Sequence, residues 1–556
     1  MQNLPAALRR HIYYKRGKEL FSENLRVISL LLDLCETALG PRGRSKIIFD
    51  KESGDYKVTK SGVLILKEAG PVHPAAKILA ETGIASGNET GDGSLSTVVF
   101  AGKLLEKAQK LREQGFHPSV IVRGFELASS VALEFLKEIS HKIDPGNREG
   151  LLKLAETCIA TKLDLEDARF LSEITVRALE SVISLSDEKF DIEMFKVEGR
   201  EGASVRDSKL VEGVVVHKFA VDRTMPRRIE RAKVAILECA LEIEKPKTST
   251  QVILRNPSDV SQFYRERDKI IIDMVEAIAR SGANVVLCTK NIDEEVRRLL
   301  AARGIFAIRN IQPKDLYNLK IALKATPVHD PMELRPEHLG ECELVEERIL
   351  TALDRWTFFE RCKEPRVRSI LIRGSTESIV EEAKNAVRSA LKILYRALRG
   401  WGVIPGGGAS EFYLAWRLRE KALRLPRKEQ VILQAFADAL EDLGITPAKN
   451  AGMDPIDVKL QLRHGVANGD IVGVDAFRRE IADTWSRGIL EASHVKAQVI
   501  KSAVDAAKVI LRVDFAVIQP PKPPEKKSPI PEPVRKAREA TERAMKYLDR
   551  FPPKRE

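Results

Sequence analysis

The sequence predicts a multidomain protein of mixed α and α/β class, and three observations support that prediction. First, 556 residues exceed the size of one domain and leave room for several large cores. Second, apolar residues recur at helical spacing in residues 1–145 and 400–518. Third, short apolar runs alternate with helical patterns in residues 213–365, which is typical of βαβ units. We therefore expect an α/β domain inserted into a mainly helical one.

The two ends of the chain hold the strongest helical patterns. They cover residues 25–39, a segment from Ala75 onward, and residues 98–113, 120–139, 411–422, 428–442 and 494–510. Between the first two, short β-prone runs at 46–49 and 57–59 predict a small hairpin.

The middle of the chain has a different pattern. Strands are predicted at 234–237, 285–288 and 305–308, with helices at 270–281 and 293–303 and a further helix afterwards. Because helices separate successive strands at this spacing, a parallel arrangement is expected.

Composition is typical of a water-soluble globular protein. Hydrophobic residues make up 44% and charged residues 31%, and no run approaches the ~18 apolar residues of a membrane span. With no apolar signal core in residues 1–18, we expect a cytoplasmic protein. The six cysteines lie far apart and form no CxxC pair, which favours buried, reduced thiols.

The net charge of +12 is partly local. Residues 519–556 contain eleven Lys/Arg against six Asp/Glu, and seven prolines lie between Pro520 and Pro533. We expect this basic tail to begin as an extended stretch and to continue either as a weakly amphipathic docking helix or as a partly disordered extension. No zinc-finger spacing or RNP-like motif is present, so nucleic acid is not a favoured partner.

The most informative short segment is Gly91-Asp92-Gly93, which precedes Ser94-Leu95-Ser96 at a predicted helix start. Glycines let a backbone approach a ligand closely, and free N–H groups at a helix N-terminus attract phosphate. Asp92 could then hold Mg²⁺, which prefers hard oxygen ligands. Alone, the same segment could be only a turn that caps a helix.

The surrounding motifs resemble those of the group II chaperonin family, over about residues 18–517. The run 37–43 reads TALGPRG, close to the family's usual TLGPKG, and 73–77 reads HPAAK. Further matches in the family's order are AGKLL at 101–105, QGFHP at 114–118, EGVVV at 212–216, MP at 225–226, RG at 373–374, GGGASE at 406–411 and NAGMDPID at 450–457. The chain therefore resembles a divergent thermosome or cytosolic-chaperonin subunit.

The resemblance implies a chaperonin fold with three domains. Residues 1–145 and 400–518 would form a mainly helical, equatorial nucleotide-binding domain, and 146–212 with 366–399 a small hinge domain. Residues 213–365 would form the α/β apical, substrate-binding domain, with a helical lid protrusion at about 244–268. The Pro-rich basic tail, residues 519–556, lies beyond the family pattern.

The resemblance also implies an ATP and Mg²⁺ site. Asp92 would be the metal ligand, Glu491 would bind ribose, Asp475 would lie near adenine, and Lys162 would sense the terminal phosphate. The implied nucleotide contacts are Leu39, Gly40, Pro41, Gly62, Asp92, Gly93, Ser94, Leu95, Ser96, Gly407, Gly408, Asp475 and Glu491.

The catalytic positions depart from the family. Ser61 and Ser389 stand where the family has two aspartates that position the attacking water. A serine hydroxyl is a far weaker base, and loss of general-base assistance costs about 10²–10⁴ in rate. Three more departures follow: Leu95 replaces a hydroxyl residue, Arg479 a turn glycine and Ala492 a proline. No catalytic residue is therefore intact, and we expect hydrolysis to be weak or lost.

Three functions remain open on the sequence. The first is a chaperonin subunit of a homo- or hetero-oligomeric double ring, which binds ATP and unfolded proteins but hydrolyses ATP weakly. The second is a fully active ATP-hydrolysing thermosome subunit, in which other acids replace the missing ones. The third is a non-cycling scaffold or binding protein that uses its basic tail for an acidic partner.

Overall fold

The computed structural model describes residues 13–49, 54, 56–71, 73–183, 192–243, 257–351, 354–364, 366–425 and 427–518. The chain divides into two compact units, one of residues 1–23 with 513–556 and one of residues 24–512. In the smaller unit, β1 (Tyr13–Arg16) pairs antiparallel with β17 (Phe515–Ile518).

Helices dominate the described residues. They are α1 (Gly17–Glu36), α2 (Gly62–Ala69), α3 (Pro74–Thr90), α4 (Ser94–Glu113), α5 (Pro118–Glu138), α6 (Arg148–Ala160), α7 (Leu165–Ile183), α8 (Pro257–Arg280), α9 (Glu294–Ala302), α10 (Pro313–Leu323), α11 (Glu377–Arg396), α12 (Ala409–Ala422), α13 (Arg427–Gly444), α14 (Thr446–Asn450), α15 (Pro455–Ala467) and α16 (Ser493–Arg512). Local sequence sets several of their starts: the Asp293 carboxylate, for example, accepts the Glu295 N–H ahead of α9.

The larger unit contains small sheets and one large sheet. Its strands are β2 (Lys46–Phe49), β3 (Tyr56–Thr59), β4 (Phe195–Glu201), β5 (Lys209–Val211), β6 (Gly213–Val216), β7 (Arg228–Leu237), β8 (Val285–Cys288), β9 (Phe306–Ile308), β10 (Gly340–Thr351), β11 (Asp354–Cys362), β12 (Arg368–Gly374), β13 (Val403–Pro405), β14 (Val472–Asp475), β15 (Glu480–Asp483) and β16 (Leu490–Ala492).

The large sheet has six strands in the order β6-β11-β10-β7-β8-β9. β7, β8 and β9 are parallel, with Val234 opposite Val285, and α8 and α9 provide the connections. β10 and β11 form a long antiparallel hairpin that joins β6 to β7. Two of the five strand pairs in the sheet are therefore parallel and three are antiparallel.

Smaller sheets connect the remaining elements. β12 lies between β4, which is parallel to it, and β5, which is antiparallel. Three two-stranded pairs, β2–β3, β13–β16 and β14–β15, are all antiparallel. The β13–β16 pair joins distant parts of the chain and places Ile404 opposite Glu491.

Each face of the large sheet is covered. Residues of α10 pack with one face, where Phe306 and Phe359 are fully buried, and residues of α8 and α9 pack with the other, around Ile278 and Leu300. A separate core joins α6, α7 and α11 to β4 and β12. Burial of this apolar surface is the main stabilising contribution to such layers.

The structure bears out the helical and βαβ predictions and adds strands that the sequence analysis missed. The predicted helix at 270–281 is longer, since α8 begins at Pro257. The strands β4, β5, β6, β10, β11 and β12 were not predicted. Of the predicted lid, residues 244–256 lie outside the described residues and 257–268 belong to α8; the tail at 519–556 also lies outside them.

Two compositional expectations can be compared with the structure. All six cysteines are free thiols, and five of them are buried. Burial raises the pKa of the Cys35 and Cys158 thiols to about 12, which keeps them protonated and unreactive. Among the described helices, none combines the length and apolar character that a bilayer crossing requires.

A ring cluster in the helical part gives a stability test. The Phe436 ring on α13 meets Phe100 on α4 edge to face, with centroids 5.3 Å apart, and lies 5.9 Å from Phe125 on α5. Because all three rings are buried, Phe436→Ala should cost about 3–5 kcal/mol of stability and lower the thermal midpoint of this unit. Leu423→Ala, at a 73% exposed position, is the control and should change stability by less than about 0.5 kcal/mol.

Candidate functional site

A cavity of about 700 Å³ lies where several distant loops of the larger unit meet. Every residue that the sequence analysis assigned to nucleotide contact lines it: Leu39, Gly40, Pro41, Gly62, Asp92, Gly93, Ser94, Leu95, Ser96, Gly407, Gly408, Asp475 and Glu491, together with Lys162. We call it the main cavity.

The Gly91–Gly93 segment turns the chain sharply between α3 and α4. Gly91 ends α3 with φ 93°, and Gly93 precedes α4 with φ 82°, a conformation that favours glycine. The Thr97 N–H donates to the Gly93 carbonyl oxygen, which is the first backbone hydrogen bond of α4. The N–H groups of Ser94, Leu95 and Ser96 precede it and remain available to a ligand. Since all three residues line the main cavity, the helix N-terminus can bind an anion there.

The Gly406–Gly408 segment is fixed by backbone packing. Gly407 and Gly408 have φ of 65° and 87°, and Gly408 precedes α12. A Cβ atom on Gly407 would lie 2.5 Å from the Val474 carbonyl oxygen, and one on Gly408 would overlap the Gly444 carbonyl. Only glycine fits at either position, so the loop can approach a ligand without side chains between them.

A third loop is held from the opposite side. Gly40 has φ 82°, and the Asn450 amide at the end of α14 donates to the carbonyl oxygens of Glu36 and Leu39, each at 2.7 Å. These bonds fix the backbone of the loop beside Pro41. Asn450, in the NAGMDPID run, thereby joins two motifs more than 400 residues apart.

A buried ion-pair cluster closes one side of the main cavity. The Lys496 ammonium pairs with Glu411 and lies 2.9 Å from the Glu491 carboxylate. Burial opposes every charge in this cluster and raises the pKa of Glu491, while the two carboxylates raise the pKa of Lys496. Sequence analysis missed Lys496, although a lysine among the apolar residues of α16 was a signal for a buried acidic partner.

Asp475 and Arg479 shape the turn between β14 and β15. The Asp475 carboxylate accepts the backbone N–H groups of Phe477 at 3.0 Å and Arg478 at 3.1 Å. Arg479, expected at a position where glycine is usual, has φ 58°. One oxygen of Asp475 is therefore committed to the turn.

The two serines at the expected aspartate positions line a neighbouring cavity, not the main one. Lys162 lines the main cavity and donates to the Ser389 hydroxyl at 2.9 Å, so this hydrogen bond crosses the wall between the cavities. Gly62 and Asp92 face the main cavity, while Ser61 and Gly91 face its neighbour.

One further carboxylate near this wall was missed by the sequence analysis. Glu382 on α11 accepts the Lys60 backbone N–H at 2.6 Å, and burial raises the pKa of Glu382. In the described part of the chain, neither Lys60 nor Lys162 forms an ion pair, although both line the main cavity. Their positive charge is therefore available to a ligand with several negative charges.

His494, on the first turn of α16, gives a pH prediction. It is buried, with Nε2 3.4 Å from the Thr90 carbonyl oxygen, and burial lowers the pKa of His494 to about 4. The unfolded chain takes up this proton near pH 6.5, so the folded state should lose up to about 3 kcal/mol as the pH falls from about 6.5 to 4.

The test compares thermal midpoints across this pH range for the wild type and His494→Gln. The variant should lose less stability on acidification, whereas His464→Gln, which removes an exposed imidazole on α15, should follow the wild type. Parallel curves for all three proteins would contradict the assignment.

Comparison with known proteins identifies the group to which this architecture belongs. A family model described as the TCP-1/cpn60 chaperonin family matches residues 31–521. The thermosome subunit of Methanocaldococcus jannaschii is 40% identical over 516 residues, covering 92% of this chain and 94% of the relative. The thermosome subunit of Pyrococcus horikoshii is 39% identical and covers 92% of this chain and 93% of the relative. Thermosome subunit alpha of Archaeoglobus fulgidus is 38% identical and covers 90% of this chain and 92% of the relative. The chain belongs to the TCP-1/cpn60 chaperonin family.

Proposed function

We propose that this chain is a subunit of a ring-shaped chaperonin that binds ATP with Mg²⁺ in the main cavity and assists the folding of other proteins. Its own ATP hydrolysis would be weak or lost. The observation that carries the proposal is the convergence of the loops at 39–41, 91–96 and 406–408 on one cavity. In this assignment residues 213–365 contact unfolded substrate, and residues 146–212 with 366–399 act as the hinge.

The chemistry of the main cavity fits a nucleoside triphosphate. The N-terminus of α4 offers free N–H groups, and Lys60 and Lys162, which form no ion pair among the described residues, add positive charge. Asp92 would hold Mg²⁺, since a carboxylate beside exposed backbone and hydroxyl oxygens suits a hard cation that keeps several waters. When bound, the metal would offset phosphate charge.

The same cavity is poorly equipped to activate water. Its acidic residues are Asp92, Glu156, Glu411, Asp475 and Glu491. Glu156 pairs with Arg169 at 3.0 Å, and Glu411 and Glu491 both pair with Lys496. Asp92 is assigned to the metal, and Asp475 holds its turn through one oxygen while the other lies 3.8 Å from the Arg478 guanidinium. Each acidic residue that lines this cavity in the described residues therefore has another partner or role.

One observation favours the active alternative. Glu382 has a raised pKa and lies close enough to Lys60 and Lys162 to feel both charges. A movement of α11 could bring this carboxylate to the nucleotide and let it orient a water. In that case Glu382→Gln would abolish a turnover that the wild type possesses.

The nucleotide assignment predicts the effect of neutralising Asp92. Asp92→Asn should weaken Mg²⁺-dependent ATP binding by about 10–100-fold, because one charged metal contact is lost. Calorimetric titration with a non-hydrolysable ATP analogue measures this. Glu113→Gln, an equal charge change at the far end of α4, should bind like the wild type. Equal affinity for all three proteins would contradict the assignment.

The hydrolysis assignment predicts a gain of function. Although both serines line the neighbouring cavity, Ser61 adjoins Gly62 and Ser389 accepts a hydrogen bond from Lys162, and both of these partners line the main cavity. Ser61→Asp combined with Ser389→Asp should therefore raise ATP turnover by about 10²-fold, the lower end of the contribution of a general base. Asn385→Asp, one turn before Ser389 on α11, adds a carboxylate to the same neighbouring cavity and should give no gain. Phosphate release is the readout.

Two outcomes would go against weak hydrolysis. One is a wild-type turnover that already equals that of the double variant. The other is a double variant that binds the ATP analogue normally and still gains nothing, which would locate the defect away from the two serines.

A further inference from the structure

The neighbouring cavity has a volume of about 590 Å³ and its own set of walls. It is lined by the start of α2, the end of α3, residues 192–197, α10 and α11. We call it the second cavity. The two serines discussed above are its residues, and the nucleotide assignment makes no use of the rest.

The second cavity is strongly cationic. Among the described residues, Lys314, Arg388 and Lys392 line it, and Glu193 provides the one carboxylate. Arg388 donates to the Val197 carbonyl oxygen at 2.7 Å and Lys392 to that of Asn88 at 2.9 Å. Because carbonyl groups are neutral, these bonds position the cations without cancelling their charge.

These cations have no ion-pair partner in the part of the chain that the structure describes. Among the ion pairs of the described residues, none includes Lys314, Arg388 or Lys392. Burial, together with the nearby Arg396 and Arg388 guanidinium groups, lowers the pKa of the Lys392 ammonium. Such a lowering is expected where like charges are held close together without an acid.

Neutral polar groups share the rest of the lining with apolar side chains, among them Val63, Phe195 and Leu391. Ser389 accepts the Lys162 hydrogen bond, so its own O–H is left to donate. The Ser61 hydroxyl and the amides of Asn88 and Asn385 lie on the same walls. Hydroxyl, amide and cationic donors around one space are the groups that bind a tetrahedral oxyanion.

We propose that the second cavity is a binding site for an oxyanion of the phosphate class, distinct from the nucleotide site. Three cations against one carboxylate match the charge of a phosphate that carries nearly two negative charges. Aspartates at 61 and 389 would cancel this excess of positive charge, so the two serines keep the lining cationic. The same two positions therefore bear on hydrolysis in the main cavity and on the charge of the second cavity, which they line.

The phosphate group could come from free inorganic phosphate or from a small phosphate monoester, since the cavity is larger than one phosphate ion. Titration of the full-length protein with inorganic phosphate and with glycerol 3-phosphate separates the two sources. A dissociation constant below about 1 mM for either ligand supports the site, and the ligand that binds more tightly identifies the source of the phosphate group. No binding of either overturns it.

The variant that tests the site is Arg388→Gln with Lys392→Gln. Each removed cation should weaken phosphate binding about tenfold, so the double variant should bind about 100-fold more weakly. Lys384→Gln is the matched control: it lies on the same helix, pairs with Glu381 and lines neither cavity. It should bind phosphate like the wild type.

A second variant covers the case in which the double substitution does not fold. Ser61→Asp with Ser389→Asp keeps every cation and adds two carboxylates to the lining, so it should expel phosphate. Retained phosphate binding in this variant, or in Arg388→Gln with Lys392→Gln, would overturn the proposal.

The two assignments can fail separately. Asp92→Asn should lose Mg²⁺-dependent ATP binding and keep phosphate binding, and a saturating ATP analogue should leave phosphate binding in place. Suppose that the analogue displaces phosphate stoichiometrically and that the Arg388→Gln/Lys392→Gln variant still binds phosphate normally. Phosphate then occupies the main cavity, and the inference is wrong. If the ATP analogue does not bind and phosphate still does, only the nucleotide assignment fails.

Discussion

The close approach of backbone to backbone at the glycines is the constraint on which the main cavity depends. Gly407 and Gly408 leave no space for a Cβ atom against Val474 and Gly444, and Gly93 would place one 2.8 Å from Val499. Each contact joins stretches of chain that are far apart in sequence. Three loops therefore meet at one place, and their glycine positions present backbone rather than side chains to the cavity.

Charge is distributed differently on the two sides of the shared wall. Facing the main cavity are Asp92 and two lysines without ion pairs, a combination suited to a metal-bound polyanion. Facing the second cavity are serines where carboxylates were expected, beside Arg388 and Lys392. The hydrogen bond from Lys162 to Ser389 connects these environments. One pair of substitutions thus bears both on the chemistry of the first cavity and on the binding capacity of the second.

Sequence reasoning predicted the helices and the glycine loops well, because local periodicity and backbone freedom leave a signal within a few residues. It missed the β10–β11 hairpin, whose charged residues alternate with buried ones and whose stability comes from pairing with β7 and β6. It could not place Lys496 beside Glu411, since 85 residues separate them. That Ser61 and Ser389 face a separate cavity required knowledge of which side of α11 packs on α3.

The hydrogen bond between Lys162 and Ser389, which links the two cavities, has a thermodynamic consequence. If both sites are occupied as proposed, a ligand that draws the Lys162 ammonium into the main cavity would weaken its hydrogen bond to Ser389. Binding at one site would then change the affinity of the other without abolishing it. Thermodynamic linkage requires that the factor by which the first ligand changes the affinity for the second equals the factor by which the second changes the affinity for the first. If hydrolysis is weak as proposed, the subunit would in this way still respond to the concentration of phosphate, a product of ATP hydrolysis.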